Sequence, residues 1–154
     1  MVTPLHSTLQ DLLQEDVELK HVLNNKTLAK FGDALINFLY SLAKSAVTRE
    51  FCGEKVSDRS LAAALRETPL KPELRPRSTV DDLGDAVEAF CAYLWIKQLV
   101  SLEEMVDILS NAIKGLPLGY HKADKAAEKY AFKALIEFLH SRMDPHSSET
   151  AHLK

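Results

Sequence analysis

Apolar positions recur with helical spacing along most of the chain. Between Thr27 and about Ser45, Leu28, Phe31, Leu35, Phe38, Leu39 and Leu42 return at steps of three and four, which predicts a strong core helix. Asn25 stands where its cap belongs. Asp33, Asn37, Tyr40 and Ser41 lie close enough around this helix to form a polar strip along one side. A second apolar helix opens at Thr79, with Leu83, Val87, Phe90 and Leu94 on its core side and Asp82 completing a capping box variant. Ser101 and Glu104 repeat that start signal ahead of Leu102, Met105, Val106, Leu109 and Ile113. A last helix is predicted from about Lys122 to Arg142, with Ala126, Tyr130, Leu135, Phe138 and Leu139 inward.

The remaining segments are shorter. Residues 7–23 read as a first helix with Ser7 as cap, and Ser57 caps a short helix over Ser60 to Arg66. Pro69, Pro72 and Pro76 forbid a continuous helix across residues 68–78. No stretch alternates as a strand does. The expected architecture is a compact all-α domain of about six helices over residues 1–144, followed by a polar tail over 145–154.

Composition narrows the classes of function. With 154 residues and 46% hydrophobic content, the chain can fill one core without a disulfide or structural metal. The net charge of -3 favours no class of partner, so only the local distribution of charge is informative. Neither Cys52 nor Cys91 belongs to a CxxC pair, and Cys91 reads as a small core residue. Without a leader-like start or an apolar span of membrane length, a soluble cytoplasmic protein is expected. There is no HExxH, no zinc-like Cys/His spacing and no phosphate-cradling glycine loop. Neither of the two long apolar helices contains a histidine, which excludes a two-His bundle metal site.

Candidate chemistry rests on acids. Asp81, Asp85 and Glu88 fall on one helical stripe, where like charges repel unless water, a cation or a basic partner neutralises them. The triplet Gly-Asp-Ala occurs at residues 32–34 and again at 84–86, so the two long helices are expected to cross and pool their carboxylates. Gly32 costs about 1 kcal/mol against alanine inside a helix, a cost best recovered where another backbone approaches closely. Asp33, Asp85 and Glu88, with Asp81 beside them, would suit Mg2+ or Mn2+, and such a site hydrolyses phosphodiesters. Bland readings stand beside this one. Asp81 and Asp82 suit the first turn of any helix, Asp33 suits a hydrogen bond to Asn or Tyr, and Glu88 suits a solvated face. Two basic stretches would hold phosphates: Lys71, Arg75 and Arg77 in the proline-containing loop, and Lys122, Lys125, Lys129 and Lys133 on the last helix. The lysine stripe also fits the outside of an ordinary amphipathic helix.

At these residues the chain resembles a known family. Lys30-Phe31-Gly32-Asp33-Ala34-Leu35 with Asn37-Phe38 is similar to the ribonuclease III signature, and Asp85-Ala86-Val87-Glu88-Ala89 with Ala92-Tyr93-Leu94 resembles that family's second acidic motif. The likeness covers most of residues 24–98 and is strongest to single-domain, archaeal-type relatives. It implies a ribonuclease III endonuclease-like fold and Mg2+-dependent cutting of double-stranded RNA by a homodimer, with Asp33, Asp85 and Glu88 as metal-binding acids. The chain has no room for that family's usual carboxy-terminal double-stranded RNA-binding domain, so no separate such domain is expected and the dimer alone would hold the substrate. The close approach expected at Gly32 is a further reason to look for dimerisation. Two family glutamates are replaced, by Ala29 and Lys26. Asp81, Asp82, Glu15 or Glu18 could compensate; otherwise the fold would serve as a non-catalytic RNA-binding or ribonucleoprotein-assembly platform. A helical protein-interaction module is the third alternative.

Overall fold

The computed structural model describes residues 3–13, 18–70 and 73–143, and among these it contains seven helices and no strand. Asn25 initiates the longest central one, its side chain accepting a hydrogen bond from the Leu28 amide. In chain order the helices are α1 (Pro4–Asp11), α2 (Leu19–Leu23), α3 (Lys26–Thr48), α4 (Asp58–Arg66), α5 (Val80–Ile96), α6 (Leu102–Ile113) and α7 (His121–Met143).

The expected caps are present at the central starts. Thr79 and Asp82 form a reciprocal capping box at α5, as do Ser101 and Glu104 at α6, and Ser57 caps α4. Each satisfies amide groups that the first turn leaves without partners. At the amino-terminal end the single predicted helix is instead two. Thr3, not Ser7, caps α1, with Pro4 at its first position, where a missing N–H costs nothing. Residues 14–17, including Glu15, lie outside the described residues, as do Lys71 and the tail from 144 onward.

Helix α5 is the axis of the fold. Its residues are buried on nearly every side, because α1, α2, α3, α4 and α7 all pack against it. Cys91 is fully buried there, and burial pushes its thiol up to about 12, so it behaves as a small apolar residue. Leu61 and Leu65 of α4 and Phe132, Leu135 and Leu139 of α7 complete the core.

Two predicted faces are rotated. Leu28, Leu35 and Leu39 of α3 are buried as expected, but Phe31, Phe38 and Leu42 are 40%, 54% and 40% exposed, and Ile36, Tyr40 and Ala43 are buried in their place. Tyr40 therefore leaves the polar strip. It packs against Phe132, with its hydroxyl sealed in the core without a hydrogen-bond partner. In α7, Ala126 and Tyr130 face outward, and Ala127, Ala131 and Phe132 turn inward. No helix of the described residues is long and apolar enough to cross a membrane.

Candidate active site at the α3–α5 crossing

Gly32 fixes the geometry. A methyl group built on it would collide with the carbonyl oxygen and carbon of Glu88 and come within 3.0 Å of the Glu88 Cα. The two backbones therefore touch, and Asp33 is set beside Glu88 from the neighbouring helix. This close approach lies within one chain, so Gly32 is not evidence for a dimer. The second Gly-Asp-Ala behaves differently: Gly84 is overlain by the Asp58 carboxylate of α4, whose Cβ would stand 3.0 Å from an added methyl.

The result is a cluster drawn from three helices. Glu88 is only 5% exposed. Burial, then the charges of Asp33, Asp58 and Asp85, push its carboxyl up to about 8. Asp58 is also raised, first by burial and then by the charges of Asp81 and Asp85. Sequence reasoning missed Asp58 because, at the start of a short helix, it reads as an ordinary first-turn acid. Only tertiary packing carries it over Gly84.

Two lysines partly neutralise the cluster. Lys55 Nζ lies 2.9 and 3.1 Å from the two Asp33 carboxylate oxygens, and Lys26 Nζ lies 2.7 Å from Asp82 and 2.9 Å from Asp85. Hydrogen bonds to these carboxylates raise both lysines, and the pairing with Lys26 lowers Asp82 to about 2. Lys26 thus reverses the charge at one of the two replaced acidic positions, and Ala29 at the other is buried. Asn37 donates to Asp33 at 3.4 Å while its oxygen accepts from the Val56 amide, so it joins the loop before α4 to the site. The hydrogen bond to asparagine expected for Asp33 is therefore present, and the solvated-face reading of Glu88 is overturned by its burial.

The donor set is all oxygen, which suits a hard divalent cation, and Glu88 supplies a buried carboxyl with no hydrogen bond among the described residues. In this arrangement, however, no three acidic, histidine or cysteine side chains among the described residues enclose an ion. Asp33 and Asp85 hold ammonium groups instead. Asp81 is exposed, one turn before Asp85. Glu18 does not reach the site: it is exposed and pairs with Lys20 at 3.4 Å.

The basic candidates fall in two places. Arg75 and Arg77 are exposed in the loop ahead of α5. On α7, Lys122 is exposed; Lys125 pairs with buried Glu128 at 3.3 Å, and Lys129 and Lys133 pair with Glu67 at 2.9 and 3.7 Å.

Fold and site together define an all-helical domain whose acids converge where two central helices cross. A family model described as Ribonuclease III matches residues 26–145, most of the chain. The chain belongs to the ribonuclease III family, a family of RNA endonucleases. No curated protein matches it.

Proposed function

We propose that this protein is a divalent-metal-dependent endoribonuclease that hydrolyses phosphodiester bonds of double-stranded or structured RNA as a homodimer. The observation that carries the reading is the convergence of Asp33, Asp85 and Glu88 at the Gly32 crossing, in a chain of the ribonuclease III family. Asp33, Asp85 and Glu88 would hold Mg2+ or Mn2+, with Asp81 at the margin. Bound there, the ion supplies an activated water and stabilises charge on the phosphate. The chain's own part is positional. The backbone contact holds Asp33 against Glu88, Asn37 orients Asp33, and the charges of Asp33, Asp58 and Asp85 around Glu88 make a negative field that a cation would neutralise. Arg75, Arg77, Lys122, Lys125, Lys129 and Lys133, together with Lys71, would contact the RNA backbone.

Support for a homodimer is the exposed apolar face of α3. Phe31, Phe38 and Leu42 stand 40–54% exposed, and Phe51 just beyond the helix is fully exposed. A second copy of this face would cover them.

The ion pairs of Lys26 and Lys55 favour a second reading, a non-catalytic RNA-binding or ribonucleoprotein-assembly protein in which the lysines stand permanently where cations would. Incubation with labelled duplex RNA, single-stranded RNA and duplex DNA, with Mg2+, Mn2+ or EDTA, separates the two. Metal-dependent cutting of duplex RNA that is lost in Glu88→Gln supports the nuclease. Retarded but intact RNA supports the binding platform.

A further inference from the structure

Outside the acidic cluster, α4 and α7 line an open cavity of about 570 Å3 whose walls include Ser57, Arg59, Ser60, Lys122, Lys125 and Lys129. Among the described residues, neither Arg59 nor Lys122 has an ion-pair partner. Buried Glu128, in contact with two of the lining residues, is already occupied: Ser60 Oγ donates to it at 2.8 Å and Lys125 pairs with it. The amino-terminal ends of α4 and α7 both open here, adding partial positive charge to that of the side chains.

Next to this cavity lies a second, of about 480 Å3, lined by Leu116, Pro117, Tyr120, Ala123, Ala127 and Tyr130 and sharing Lys122 and Ala126 with the first. Tyr120 and Tyr130 are 61% and 57% exposed. Lys122, Ala126 and Tyr130 follow one another at steps of four along a single stripe of α7, so a cation and an aromatic ring stand roughly 12 Å apart along the helix. A basic groove that opens directly onto exposed aromatic rings has the chemistry of a single-stranded nucleic-acid site. Phosphates lie in the groove and bases stack on the rings. An acidic peptide would use the groove but not the tyrosines.

We infer that the α4–α7 groove and the adjoining tyrosine cleft bind an unpaired strand of RNA, with phosphate on Arg59 and Lys122 and a base on Tyr120 or Tyr130. The inference rests on the RNA reading given above and extends it from duplex to single strand. Asp58, between Ser57 and Arg59 in sequence, belongs to the acidic cluster, so the start of α4 borders both sites.

The test is fluorescence anisotropy of a short labelled single-stranded RNA with the full-length protein, using poly-glutamate as competitor. Paired changes Tyr120→Ala with Tyr130→Ala, and Arg59→Ser separately, each weaken binding by roughly tenfold or more. These side chains are on the surface, and unchanged thermal midpoints establish that the variants fold. Absence of single-strand binding, unchanged affinity in the tyrosine pair, or equal competition by poly-glutamate overturns the inference. The two readings fail separately. Wild-type protein that binds single strands but cuts no RNA retains this site and loses the nuclease. Cutting of duplex RNA without single-strand affinity does the reverse.

Discussion

Glu88 is the residue on which charge and packing conflict. Its carboxyl is raised from 4.5 to about 8 in the folded protein, so the folded state binds a proton that the unfolded state releases. That contribution to stability is intact below about pH 4.5 and is lost as pH rises through about 8. In metal-free protein the thermal midpoint is expected to fall between about pH 5 and pH 9, and Glu88→Gln should flatten the fall. A midpoint with the same pH slope in both proteins would show that Glu88 is solvated. Lys55 supplies a second test. Its ammonium group occupies both oxygens of Asp33, so Lys55→Met is expected to raise affinity for Mn2+ several-fold by calorimetry; unchanged affinity would mean that Asp33 takes no part in cation binding. Asp85 and Glu88 could be read from spacing, because a stripe on one helix is a local property, and Asp33 from the repeated Gly-Asp-Ala triplet and the family resemblance. The place of Asp58 over Gly84 and the ion pairs of Lys26 and Lys55 could not, since each is set by a different turn of the chain.

At the scale of elements, the Gly32 contact decides how α3 and α5 sit. The obstructing atoms are backbone, so Gly32→Ala forces the helices apart and is expected to destabilise by about 1–3 kcal/mol, towards the upper end. Gly84→Ala meets only the Asp58 side chain, which can swing aside, and should cost clearly less. Denaturant titration of the two variants checks the order; equal losses would mean that the crossing is not backbone-limited. The starts of α3, α4, α5 and α6 were legible because Asn25, Ser57, Thr79 and Ser101 act within their own first turns; the start of α1 and its separation from α2 were not. The buried faces of α3 and α7 were not. In α7, alanines occur on several sides and give little contrast. The inward side is decided by where α4 and α6 pack, and that turns Ala127 and Ala131 in place of Ala126 and Tyr130. In α3 the large residues Phe31 and Phe38 imitate a core stripe while lying at the surface.

For the whole molecule, that surface stripe is the feature a single chain leaves unsatisfied. Phe38→Asp is expected to shift the protein from dimer to monomer in sedimentation and to leave the fold intact, because Phe38 is already half exposed. A wild type that sediments as a monomer would overturn the homodimer. The chain's one tryptophan sits where this face meets the amino-terminal helix. Trp95 of α5 lies between the His6 ring of α1, 4.8 Å away, and the Phe31 ring of α3, 6.0 Å away. Its emission is therefore an intrinsic optical signal with two inputs. Undocking of α1 removes the imidazole from one side, and association through α3 changes the solvent around the other. A single-wavelength titration can follow both events without a label, and His6→Ala or Phe31→Ala tells which one is seen.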